Sequence, residues 1–136
     1  MKVAVATQDL ARIDAHFGWA RHLMLYEVSE EGYRYLETAS FAVCQPDGDH
    51  GKLVPRLKAM EGCNLVFVAE VGPEGEFGLA RTRAIPIRQF AGQPIALALE
   101  ALRDGLRGDA PVWLRQIEQR YRRREIGGRE IGGRNT

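Results

Sequence analysis

A histidine, an aromatic ring and a glycine in succession, His16-Phe17-Gly18, form the run in this chain best suited to chemistry. It lies in a short loop between two strand-like stretches, Val3-Ala4-Val5-Ala6 and Leu23-Met24-Leu25-Tyr26. Loops mounted on a rigid sheet carry function more often than the sheet itself. Imidazole is the commonest metal ligand and changes charge near neutral pH. Gly18 lets a ligand approach the backbone closely, and Arg12 and Arg21 flank the loop with positive charge.

The remaining imidazoles and thiols are His22, Cys44, His50 and Cys63. Cys44 and His50 bracket the strongest turn cluster, Cys44-Gln45-Pro46-Asp47-Gly48-Asp49-His50-Gly51, and both are candidate ligands. His50 equally suits a solvated cap. Cys63 precedes an apolar run and reads as a small buried hydrophobe, and His22 opens a strand. No pair has zinc-finger or HExxH spacing, which argues against a closed structural zinc site.

Most enzymatic readings lack their residues. There is no GxSxG, no cysteine with a nearby histidine, no GxxxxGK[ST], and no GxGxxG at the first strand–helix junction. Two-metal nuclease chemistry needs carboxylates on strand positions. Lys2–Thr7 has none, and Asp9 and Asp14 fall in the loop that follows.

The elements that position His16 follow from periodicity. Lys2–Thr7 is apolar without alternation, as a strand buried on both faces should be. His22–Val28 and Tyr33–Phe41, joined at Ser29-Glu30-Glu31-Gly32, predict an antiparallel hairpin. Leu53, Val54, Leu57 and Met60 predict a short helix that starts after the turn cluster and stops at Gly62. Leu65–Ala69 predicts a central strand, and Glu74–Thr82 a helix weakened by Gly75 and Gly78. Ala84–Phe90 predicts a strand that Pro86 confines to an edge. Ile95, Leu99, Leu102 and Leu106 predict a helix ended by Gly105 and Gly108.

This order, β–ββ–α–β–α–β–α, implies an α/β fold in which helices cover a mixed sheet. The 136 residues divide into a domain over 1–108, a helical extension over 109–123 and a tail over 124–136. The tail repeats Arg124-Glu125-Ile126-Gly127-Gly128 as Arg129-Glu130-Ile131-Gly132-Gly133 and is too poor in apolar residues to fold.

Net charge is +1, but residues 1–114 hold 12 Lys and Arg against 15 Asp and Glu, while 115–136 hold seven Arg against three Glu. The main body therefore lacks the basic stripe of a nucleic-acid binder. No run reaches the length of a membrane span. Two cysteines and no secretory leader lead to the expectation of a cytoplasmic protein.

Several segments together resemble a known family. Lys2-Val3-Ala4-Val5-Ala6-Thr7, His16-Phe17-Gly18 and Leu25-Tyr26-Glu27-Val28 are similar to the nitrogenase iron–molybdenum cofactor biosynthesis domain. Leu53…Leu57…Gly62-Cys63-Asn64-Leu65-Val66, Val71-Gly72-Pro73 and Ala84-Ile85-Pro86-Ile87 follow in that family's order, so the likeness covers roughly residues 1–105. The extension Asp109-Ala110-Pro111-Val112-Trp113-Leu114 resembles stand-alone members rather than the copy fused to a radical enzyme.

The resemblance implies a ribonuclease-H-like three-layer fold, with a mixed five-stranded sheet and flanking helices, without nuclease function. It implies a carrier without turnover, whose cargo is an iron–sulfur precursor or the iron–molybdenum cofactor itself. Its partners would be a cluster-building enzyme and a scaffold, with neither nucleic acid nor membrane involved. His16 is the implied cluster contact, supported by Phe17 and by backbone N–H groups at Gly18 and its neighbours. Arg12 and Arg21 would add charge-assisted contacts. Cys44 and His50 stand as further metal candidates. Two other readings compete: a metal-free interaction module with Phe17 packed in the core, and a nucleic-acid binder using the arginines from Arg115 to Arg134.

Overall fold

Val3 and Val5 project to one side of the first strand and Ala4 and Ala6 to the other, and all four are fully buried. A strand with both faces apolar needs cover on both faces. The computed structural model supplies it, and describes residues 1–41, 48–108, 110–115, 117 and 119. Strand β1 (Lys2–Thr7) is central in a five-stranded mixed sheet of order β3-β2-β1-β4-β5. It pairs antiparallel with β2 (His22–Ser29) and parallel with β4 (Leu65–Phe67). The hairpin partner β3 (Gly32–Ser40) and the short parallel strand β5 (Ile85–Ile87) form the two edges. Pro86 thus sits on an edge strand, where its missing N–H is tolerated.

Helix α3 (Ile95–Arg107) covers one face: Ile95, Ala98, Leu99 and Leu102 join Val3, Val5, Leu65 and Phe67 in one apolar cluster. Helices α1 (Gly48–Ala59) and α2 (Pro73–Arg81) cover the other, where Leu53 and Leu79 meet Ala4, Ala6, Leu23, Leu25 and Val66. The result is three layers, helix on sheet on helix.

Three expectations change. Helix α1 begins at Gly48, so the predicted turn residues Gly48–Gly51 form its first turn, and Pro55 is accommodated inside it. Gly75 and Gly78 do not merely weaken α2. A Cβ at Gly78 would lie 2.6 Å from Leu57 Cδ1 and one at Gly75 2.9 Å from Val71 Cγ2. The two glycines therefore set how closely α2 approaches its neighbours. Gly105 does not end α3 but is where the extension crosses it, since a Cβ there would overlap Leu114 Cδ2.

That extension is helical at 112–115. It buries Leu114 and Ile117 in the α3 cluster, with Trp113 edge-on to Phe90 at 5.8 Å and Phe90 edge-on to Phe67 at 5.7 Å. The tail 124–136 lies outside the described residues.

Candidate functional site

The loop after β1 is organised by two carboxylates. Asp9 accepts from the backbone N–H groups of Ala11 (2.9 Å) and Arg12 (2.8 Å), and these bonds hold its carboxyl below the usual range. Asp14 accepts from Gln8 N–H at 2.7 Å. The Gln8 side chain ties the far end of the loop, donating to Trp19 O at 2.9 Å and accepting from Arg21 N–H at 2.8 Å. Backbone bonds from Ala69 N to Ala15 O (3.0 Å) and from Phe17 N to Glu70 O (2.8 Å) then lay residues 15–17 alongside the end of β4. His16 is thereby carried to the carboxyl ends of the parallel strands β1 and β4, where open α/β sheets typically place ligands.

Phe17–Trp19 closes into one 3-10 turn capped by His16, whose Nδ1 accepts from Gly18 N–H at 3.1 Å. Beside it opens a cleft of about 430 Å³, within the ordinary range of small-molecule sites. His16, Gly18 and Trp19 line it from the turn, Leu53 from α1, and Gly72, Pro73, Glu74 and Gly75 from the start of α2. Helix α2 begins at Gly72 without a side-chain cap. Gly72 keeps the wall open at the imidazole, since a Cβ there would lie 3.7 Å from His16 Nε2.

Among the expected site residues, His16 and Gly18 line this cleft. Phe17 does not: its ring is fully buried in the α1/α2-side core, because the turn directs it inward beneath His16. The Gly18 N–H is engaged by His16 Nδ1 and is not directed at a ligand. Arg12 reaches the other way, donating to Gly92 O at 3.2 Å, and Arg21 is exposed outside the cleft lining. His50 lies in α1, and Cys44 lies outside the described residues. His22 Nδ1 hydrogen-bonds Ser40 Oγ at 2.8 Å across the hairpin. Among the described residues, no group of three or more His, Cys, Asp or Glu side chains gathers to hold a metal ion, and no helix is long and apolar enough to cross a membrane.

Cys63 is 1% exposed, and burial pushes its thiol up from 9.0 to about 11. It stays a thiol, not a thiolate ligand, at neutral pH. The folded state keeps this proton after the unfolded chain has lost it. Its contribution is therefore intact below pH 9 and lost as pH rises toward 11. Urea denaturation should show stability falling by about 2 kcal/mol between about pH 8 and about pH 10.5, with a flatter profile in Cys63→Ala. Equal slopes would remove Cys63 as the cause.

Arg56, which sequence reasoning passed over, supports the site from below. It is 3% exposed and donates from Nε (3.0 Å) and Nη2 (2.6 Å) to the carbonyl of Ala20, the residue that closes the Phe17–Trp19 turn. Its guanidinium also stacks 4.5 Å over Phe41. It falls three residues after Leu53 and four before Met60, on the stripe the spacing marks as buried, but its charge spoke against burial. Trp19 was not singled out in the sequence and Val71-Gly72-Pro73 only as part of the family resemblance; their convergence on one cleft is tertiary.

Comparison with known proteins gives the chain's family and fold. The family model described as dinitrogenase iron-molybdenum cofactor matches residues 1–105. Protein NifX of Herbaspirillum seropedicae is 38% identical over 127 residues, covering 93% of this chain and 87% of that one. Protein NifX of Rhodobacter capsulatus is 35% identical, covering 86% of this chain and 77% of that one. The FeMo cofactor biosynthesis protein NifB of Bradyrhizobium diazoefficiens is 34% identical over 91 residues, which are 65% of this chain but only 18% of that protein. A solved structure, PH0822, shares the fold with a TM-score of 0.57 at 21% identity, covering 77% of this chain and 92% of that one. The chain belongs to the dinitrogenase iron-molybdenum cofactor family.

Proposed function

We propose that this protein binds an iron–sulfur precursor of the iron–molybdenum cofactor, or the cofactor itself, in the His16 cleft and passes it on without chemical turnover. The observation that carries this reading is the cleft itself, where one imidazole faces a wall kept open by Gly72 at a helix start. A carrier has to release what it binds. A single imidazole contact exchanges readily, whereas several thiolates would hold a cluster fast, and Cys63 is buried as a thiol.

The non-enzymatic part of the reading is supported by β1, whose inward residues are apolar, and by Asp9 and Asp14, whose oxygens serve backbone amides. Strand order β3-β2-β1-β4-β5 with β2 antiparallel and helices on both faces supports the ribonuclease-H-like label. The partners of this reading are cytoplasmic cofactor-assembly proteins, a cluster-building enzyme and a scaffold. Cys44 and His50 belong to the proposal as candidate metal ligands.

A metal-free interaction module is the second reading, favoured by Trp19, 53% exposed at the cleft rim, and by the buried ring of Phe17. Anaerobic purification from cells that make the precursor separates the two. Brown, iron-containing protein is expected; colourless, iron-free protein from the same cells supports the module.

A further inference from the structure

We propose that His16 grips its cargo as a hydrogen-bond donor, through Nε2–H to a sulfide or oxyanion on the cargo's surface, and not as a ligand to iron. The inference rests on the cleft being the cargo site and specifies what kind of surface it recognises. A backbone N–H can only donate, so His16 Nδ1, 3.1 Å from Gly18 N, is an acceptor and carries no proton. The neutral ring then holds its proton on Nε2, the atom next to the open wall at Gly72. Metal-binding histidines are arranged the other way: the nitrogen remote from the metal donates its N–H to a carbonyl or carboxylate. For Nε2 to bond iron here, the ring has to turn away from Gly18 or give up its one N–H proton and bind as an imidazolate.

The surroundings agree with an acceptor-coated anion as occupant. The uncapped start of α2, whose positive dipole end favours negative charge, forms the opposite wall. Glu74 is the opposing charge on the lining, while Glu76 on the same turn pairs with Arg88 at 3.4 Å. Recognition through donors reads the sulfide surface and is indifferent to whether an iron site is open. One cleft can then accept precursors at different stages.

Two experiments on the intact protein test this. In histidine-labelled protein, long-range proton–nitrogen NMR is expected to show His16 with the proton on Nε2 and a bare Nδ1; the reverse tautomer overturns the proposal. Tetrathiomolybdate, a sulfide-coated anion whose metal is already enclosed, is the binding probe. His16→Ala is expected to weaken it about tenfold, because a hydrogen bond to a charged acceptor is lost. His16→Gln, which keeps an N–H donor near the Nε2 position but is a poor iron ligand, is expected to stay within about threefold of the wild type. Gly72→Ala places a methyl against Nε2 at an ordinary φ of −82° and is expected to match His16→Ala without loss of thermal stability. Glu74→Gln is expected to tighten binding about threefold by removing a like charge.

Wild-type binding that is unaffected by His16→Ala and Gly72→Ala contradicts the donor role. So does a synthetic four-iron cubane cluster for which His16→Gln is as weak as His16→Ala. Failure of the wild type to bind any cluster, with the Nε2–H tautomer present, sinks the carrier reading instead.

Discussion

Replacing Phe17 by alanine is expected to cost about 4 kcal/mol, the range for emptying a fully buried aromatic site. In a domain of this size that lowers Tm by roughly 10–15 °C. The ring lies in the cluster with Leu53, Val66, Val68, Val71 and Leu79, and a Cβ on Gly75 would stand 3.6 Å from it. It therefore joins the loop after β1 to both α1 and α2. Phe17→Leu keeps much of the apolar volume and should recover more than half of the loss. A melt of Phe17→Ala within a few degrees of wild type would show that the ring is dispensable to the core and return it to the list of cargo contacts.

Replacing Arg56 by alanine is expected to cost about 3 kcal/mol and to loosen the His16 turn specifically. Its two N–H groups saturate the buried carbonyl of Ala20, and removal leaves that oxygen without them at about 1–3 kcal/mol. The rest is lost packing of the guanidinium and its stem against Phe41. Lysine should rescue poorly, because one ammonium on a flexible stem does not reproduce the planar fork. Burial already pulls the guanidinium pKa down, so the group carries its charge in a costly environment, and the carbonyl bonds offset part of that cost. Amide exchange reads the effect: Trp19 and Ala20, whose N–H groups close the turn onto His16 O and Phe17 O, should lose protection first. Uniform loss across the sheet would mean that Arg56 serves only global stability.

The contrast between Phe17 and Arg56 shows what was legible in the chain. Apolar runs such as Lys2–Thr7 and Leu65–Phe67 announce buried strands, and Pro86 announces an edge, because these patterns follow from local backbone chemistry. The His16 turn follows from local sequence because its neighbours in the chain are also its neighbours in the turn.

Arg56 was not legible, since a charged residue in the last turn of a helix ordinarily faces water. Its buried hydrogen-bond acceptor, the Ala20 carbonyl, lies 36 residues away and is brought to it by the fold. Gly75, Gly78 and Gly105 were misjudged for the same reason. Their low helix propensity is local, whereas the contacts with Val71, Leu57 and Leu114 that demand them arise from packing. Arg12 was placed beside His16 by sequence proximity, yet the Asp9 turn directs its chain toward Gly92.

The proposed function places cargo in the cleft beside His16. Its most direct test is anaerobic titration of wild-type and His16→Ala protein with a preformed iron–sulfur cluster, followed by cluster absorption, with melting curves of both proteins alongside. The wild type is expected to bind saturably, the variant at least about tenfold more weakly, and the two melts to superimpose. Equal binding by the two proteins would place the cargo elsewhere on the molecule.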